Sequence, residues 1–412
     1  TYPAQETPPY TPLSPDQQTT ASRLSVLSRL QEQNSPFVMV ISTEALMRKV
    51  MPRQVLGMTT ELIMAGEDCD RDQLLAALIR GGYEQVALVQ SPGDFSVRGG
   101  IIDIYPPAFS EGINTGGSAP LQPTSDGPIR LDFFGDTIES IRLFDPYSQR
   151  SQRELAEAIL LPVSDVLFPE GPAMSALMEE LYRLEEQEGW NPDEGGQLRE
   201  QIRRRFRFAG IEAFLPLFYG TQQTATVLDY LSPETRLFSL DPLAQSQAAA
   251  LIDERVQANY QEIRARKSPA LVPERLFLSG EELARAMATF PQTLCSDFPD
   301  SADHVLSISS ANHQLLKQEI TLQRRKQGLL PTLSGQIHSW QEQGDRVILC
   351  CRSARHAQTI TELLGQHQHQ IEAIPAPLSN EDLQRHNPGH LLICDQPLSQ
   401  GFSLIHDKLH LL

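Results

Sequence analysis

The sequence predicts an α/β chain of several domains, in which a small α+β domain built on an antiparallel sheet interrupts a larger α/β domain and a second small α/β domain follows. Three observations lead there. At 412 residues the chain exceeds what one hydrophobic core supports. Its apolar pattern changes along the chain from helical spacing to strict alternation and back to helical spacing. All ten histidines fall after residue 303, so the last segment has a composition of its own.

Residues 1–66 read as part of an α/β domain. Ser14 followed by Pro15 is a helix start, and Ala21, Leu24, Leu27 and Leu30 recur at three-residue spacing behind it. Phe37 to Ile41 is a continuous apolar run suited to a buried parallel strand, and Thr43 can cap the short helix that follows. Residues 67–165 hold one helix, Arg71 to Arg80, and then strands. Within them, residues 108–127 are turn-rich and lack a hydrophobic period, and are expected to form a mobile insertion between two paired strands; loop-closure cost grows slowly enough with length to allow it. Residues 166–300 are mainly helical, with Glu179 to Glu188 and Ala244 to Lys267 as polar amphipathic helices. Arg236 to Asp241 reads as a buried strand ending in a turn aspartate. In residues 301–412, Arg346 to Cys351, Gln370 to Ile374 and His390 to Cys394 are short apolar strands and Ser353 to His367 is a helix, which together predict a small parallel α/β domain.

The candidate site lies on the inserted sheet. Successive strand side chains alternate faces, so Ile129, Leu131 and Phe133 point one way and Arg130, Asp132 and Phe134 the other. Phe95 and Val97 alternate with Ser96 and Arg98, so a second strand could add Arg98 to the same outer surface. Arg98, Arg130 and Phe134 on a rigid sheet have the composition of a protein-interface hot spot. The bland alternative is an ordinary solvated sheet face with Phe134 folded under a neighbouring loop.

Composition and motifs exclude several other functions. A net charge of -18 argues against a module that grips a DNA backbone by itself. A nucleotide-binding loop needs a Gly-Lys pair, which occurs nowhere in the chain, and Asp241 is followed by Pro242 rather than a second carboxylate. The five cysteines contain no C-x-x-C and read as reduced thiols. His367 with His369, and His386 with His390, lack the further ligands of a zinc site, so no metal is expected. Gln201 to Phe208, the most basic run, could stack its two aromatics on bases, or pair its arginines with Glu194, Glu200 and Glu212. No apolar run reaches the length of a membrane span and no signal segment opens the chain, which reads as cytoplasmic, with no membrane partner.

Ser91 to Pro107 and Ile129 to Asp145 resemble the second domain of the bacterial transcription-repair coupling factors, the Mfd family, and of their relative UvrB. Pro3 to Asp16, Thr43 to Lys49, Ser148 to Ser151, Leu160 to Pro162 and Gly210 to Phe218 resemble, in the same order, segments of the amino-terminal half of that family. The last 100 or so residues match it loosely, mainly through Leu398 to Phe402. The tyrosine-rich hairpin of UvrB has no counterpart pattern, and Ser96 stands where UvrB usually has a further arginine; both departures favour the coupling factors. The resemblance implies a degenerate RecA/UvrB-like α/β domain in 1–66 and 166–300, a UvrA-docking domain in 67–165 and a third domain in 301–412. It implies that Arg98, Arg130 and Phe134 dock UvrA, and that this part of the family catalyses no reaction and holds no cofactor. Elsewhere in the family lie the RNA polymerase-binding domain, an ATP-driven translocase on duplex DNA, and a carboxy-terminal domain that masks the UvrA surface. A chain beginning on Thr1 is expected to be a fragment of such a protein. The competing expectation is a UvrB-type ATPase whose phosphate loop lies upstream of Thr1.

Overall fold

The computed structural model describes residues 1–32, 36–107, 127–220, 224–297, 305–323, 330–367, 369–374, 383, 385–387 and 389–412. The expected insertion, Gly127 apart, lies outside the described residues. The fold is mixed α/β, in two compact units, one within residues 1–297 and the other within 298–412.

The first unit opens with helix α1 (Gln17–Glu32), which starts later than the Ser14-Pro15 pair suggests. Asp16 caps it by accepting from Thr19 N at 3.0 Å, while Ser14 donates to Glu212 Oε2 at 2.8 Å and accepts from Gly210 N at 3.1 Å. A cap needs a free side-chain oxygen at the helix end, and that of Ser14 is engaged elsewhere. Leu24, Leu27 and Leu30 are buried as their spacing predicts. The strand expected over Phe37–Ile41 does not form. The segment joins no sheet, and Val38 and Val40 are 87% and 64% exposed. An apolar run becomes a buried strand only between neighbouring strands, and here its backbone meets Tyr2 N, which donates to Val40 O at 2.9 Å. Helices α2 (Thr43–Met47) and α3 (Arg53–Met58) follow; the cap of α2 is Ser42, one residue ahead of the expected Thr43, accepting from Ala45 N.

Strand β1 (Glu61–Met64) leads into α4 (Arg71–Arg80), whose bounds are those the sequence predicts. Then come β2 (Glu84–Gln85), β3 (Asp94–Arg98), β4 (Ile101–Ile104), β5 (Ile129–Phe134), β6 (Thr137–Phe144), β7 (Ser151–Leu155) and β8 (Glu157–Leu160). Strands β2 to β7 form a six-stranded sheet in sequence order, antiparallel apart from the short β2–β3 pair, and β1 pairs with β8 in a separate ribbon. The inner face of the sheet buries Phe95, Ile102, Ile104, Ile129, Leu131 and Ile141 against Leu74 and Leu78 of α4. A bulge keeps this face continuous: the register shifts between Asp132 and Phe133, so β6 carries the extra residue Glu139 and both Ile138 and Ile141 face the core.

The rest of the unit comprises α5 (Pro172–Glu188), α6 (Pro192–Arg203), α7 (Leu215–Phe218), β9 (Leu237–Leu240), α8 (Pro242–Ala265), α9 (Gly280–Met287) and β10 (Gln292–Cys295). Its core is shared with the amino-terminal helices, through residues such as Leu27, Leu56, Leu181, Ile202 and Tyr230. Two segments distant in sequence thus close over one core, while residues 63–163 build another. Strand β9 is not the buried strand expected, since it has one parallel neighbour, β10, and leaves Phe238 and Leu240 exposed. Asp241 is the N-cap of α8, accepting from Ala244 N at 3.0 Å.

The second unit contains β11 (Ser310–Asn312), α10 (Gln314–Gln323), α11 (Leu330–Glu342), β12 (Arg346–Cys350), α12 (Ala354–Gly365), β13 (Ile371–Ala373), β14 (Leu391–Cys394), β15 (Phe402–Leu404) and β16 (Leu409–Leu411). Its six strands run in the order β11-β15-β16-β12-β14-β13. The three strands read from the sequence are parallel, as is β16, but β15 pairs antiparallel with both β16 and β11, so the sheet is mixed rather than parallel. The link between β15 and β16 is too short for a crossover and forces a hairpin. No helix among the described residues is long and apolar enough to cross a membrane.

Candidate functional site

Two tight hairpins set the geometry of the outer face. Between Arg98 and Ile101 the loop is Gly99-Gly100, and between Phe134 and Thr137 it is Gly135-Asp136. Gly99 and Gly135 take positive φ, 57° and 64°, which such two-residue turns require. At Gly100 a Cβ would stand 2.9 Å from the carbonyl oxygen of Phe133, and the Gly100 carbonyl accepts from Phe133 N at 2.8 Å. The two hairpin ends are therefore laced together, Arg98 on one and Phe134 on the other.

Strand register sorts the outer-face side chains into rows. One row reads Ser96, Asp103, Arg130, Arg142 and Glu154 across β3 to β7; the next reads Arg98, Ile101, Asp132 and Ser140. Arg130 and Arg142 stand directly opposite each other, an arrangement that like charges disfavour. Each is drawn to a carboxylate. Arg130 forks onto Asp103, with Nε to Oδ1 at 2.7 Å and Nη2 to Oδ2 at 2.9 Å, while Arg142 takes Asp132 at 3.0 Å and Glu154 at 3.8 Å. Arg98, diagonal to Asp103, also donates to Asp103 Oδ2. Asp103 is wholly buried beneath the two guanidinium groups, whose side chains are 48% (Arg98) and 15% (Arg130) exposed. The hydrogen bonds to Asp103 raise the affinity of Arg130 for its proton above the ordinary arginine range. The guanidinium also lies 4.8 Å from the centroid of Phe144 and donates from Nη1 to Gln149 O at 3.3 Å.

Phe134 is 81% exposed, so it is not folded under a loop. The three residues read from the sequence lie on one face, with Arg98 and Phe134 open to solvent and Arg130 largely engaged within the sheet. Sequence reasoning missed Asp103 and Arg142. The signal for Asp103 was available: in Ile101-Ile102-Asp103-Ile104, alternation puts the aspartate on the face of Arg98 and Arg130.

The remaining candidates resolve into local structure. In the basic run, Arg203 and Arg204 both pair with Glu200, Arg205 with Glu170 at 3.3 Å, and Arg207 donates to Val166 O at 3.0 Å. His386 and His390 both meet Glu372, and among the described residues no group of three or more such side chains is arranged so that it could hold a metal ion. A chain of hydrogen bonds runs from Ser403 through His410 (2.7 Å) to Asp345 (3.0 Å), but Ser403 and His410 are buried and His410 is stacked on Trp340, which makes it a packing network.

Residues 62–114 and 116–165 match the family described as the UvrB interaction domain, which covers the sheet that carries the site. Over nearly its whole length the chain is 30% identical, over 392 residues, to a transcription-repair-coupling factor of Myxococcus xanthus, covering 92% of this chain and 30% of that protein. It is 33% identical over 292 residues to that of Haemophilus influenzae (71% and 23%) and 24% identical over 398 residues to that of Bacillus subtilis (93% and 31%). The chain is thus similar over most of its own length to transcription-repair-coupling factors and spans less than a third of the length of these relatives.

Proposed function

We propose that the outer face of the six-stranded sheet is a docking site for UvrA and that the chain is a recruiting module of transcription-coupled nucleotide excision repair. One observation carries the reading: within a sheet that matches the UvrB interaction domain, an aromatic ring 81% exposed stands on the same face as two arginines that share a buried carboxylate partner. Such a surface suits a partner that offers an apolar pocket rimmed by carboxylates. In this reading Arg98, Arg130 and Phe134 form the docking face, and the chain itself catalyses nothing and uses no cofactor. The longer protein would bring RNA polymerase binding, ATP-driven movement on duplex DNA, and a carboxy-terminal domain that covers the UvrA surface until it is needed.

Calorimetric titration of the 412-residue chain with purified UvrA tests this. Micromolar or tighter binding, weakened by Arg98→Ala, Arg130→Ala and Phe134→Ala, is expected. Undiminished binding by a folded Arg130→Ala, Phe134→Ala double variant would rule this face out.

A further inference from the structure

The two arginines of the docking face differ in what they can still offer a partner. A guanidinium carries five N–H donors. Arg130 gives two of them to Asp103 and one to Gln149 O, and its side chain is 15% exposed. Arg98 gives Asp103 one, from Nη2, and is 48% exposed. The carboxylate between them is fully buried, and both its oxygens are taken: Oδ1 by Arg130, Oδ2 by Arg130 and Arg98 together. Its neighbour across β3 is the small Ser96, which leaves the space above Asp103 to the two guanidinium groups.

A long arginine side chain at a hairpin end has rotamer freedom that it must surrender on docking, which weakens binding. A fixed, buried anion removes that freedom in advance. We infer that Asp103 is the positioning residue of the docking face: it holds Arg98 in the orientation that meets the partner, and Arg130 acts through Asp103 by fixing the carboxylate rather than by touching the partner. The inference rests on the docking reading above and assigns different roles to its two arginines. The direct contacts are then Arg98 and Phe134, one at each of the two laced hairpin ends.

The test is a pair of double-mutant cycles, read as affinity of the whole chain for purified UvrA, with thermal unfolding of every variant alongside. Asp103→Asn keeps the shape and removes the charge. Alone it is expected to weaken binding about tenfold. In an Arg98→Ala background it should change affinity by less than about twofold, because the residue it positions is gone, whereas in a Phe134→Ala background the full tenfold effect should persist. A general loosening of the sheet would reduce binding in both backgrounds alike, and that result overturns the inference. So does wild-type affinity of Asp103→Asn. Arg130→Ala, which leaves the carboxylate held by Arg98, enters the same cycles and replaces Asp103→Asn if that variant does not fold; an effect of Arg130→Ala that is additive with Arg98→Ala would show that Arg130 touches the partner itself. Unchanged binding by both Arg98→Ala and Phe134→Ala is a different outcome, which removes the docking face and with it any role for Asp103.

Discussion

Truncating Phe134 should separate docking from folding, because the ring contributes to one and hardly to the other. An aromatic side chain presents about 200 Å2, of which 81% is in solvent here, so docking can bury roughly 160 Å2 more. At about 25 cal/mol per Å2 that is roughly 4 kcal/mol, an upper bound. Ordering of the ring at the interface takes back about 1 kcal/mol, which leaves about 2–3 kcal/mol, or a thirtyfold or greater loss of UvrA affinity for Phe134→Ala. Stability should move by less than about 0.5 kcal/mol, as for a surface substitution. Leu131→Ala, three residues earlier on the core face and fully buried, is the matched control and should cost about 2–5 kcal/mol of stability. Calorimetry for affinity and thermal unfolding for stability read the two effects. Wild-type affinity in Phe134→Ala, or a destabilisation as large as that of Leu131→Ala, would refute the reasoning.

Gly100→Ala should destabilise the sheet by about 1–3 kcal/mol, since the new Cβ would meet the backbone carbonyl of Phe133 at 2.9 Å; an unchanged melting temperature would contradict the lacing of the two hairpin ends. In the second unit, burial, aided by the neighbouring His338 and His367, pushes the imidazole of His369 down to about 4. Its folded-state pKa lies below its unfolded value of about 6.5, so its contribution to stability is complete above pH 6.5 and is lost as the pH falls towards 4. Thermal unfolding between pH 7 and 4 should show that loss in the wild type and a flatter profile in His369→Gln. Replacing Arg203 and Arg204 by alanine should leave affinity for plain duplex DNA unchanged and weak, because both side chains are committed to Glu200; a steep salt dependence of DNA binding that disappears in the variant would contradict this.

Much of the fold was legible where local pattern and tertiary neighbours agree. Helix α4 was read to the residue, because Asp70 caps it and Leu74 and Leu78 find the sheet core. The face assignments of β5 also held, since Leu131 and Phe133 pack inward while Phe134 stands out, even though a bulge intervenes. Two of the failures share a physical origin. Phe37–Ile41 and Leu237–Leu240 carry the composition of buried strands, but burial depends on neighbours supplied by other parts of the chain, which local sequence does not encode. The antiparallel edge of the second sheet was missed because β15 and β16 are three residues long, too short to show a period. At the site, alternation gave the shared face of Arg130 and Phe134, to which a second strand could add Arg98, and strand register places it there. Alternation gave no sign that Arg130 is tied inward, which depends on the cross-strand register that sets Asp103 opposite it.

The most direct test of the docking account is hydrogen exchange of the chain with and without UvrA. The account predicts new protection at residues 95–104 and 129–137, the strand ends and turns of the two hairpins, and little change at 201–208 or in the second unit. Protection confined to those other regions, with the two hairpins exchanging as they do in the free chain, would contradict it.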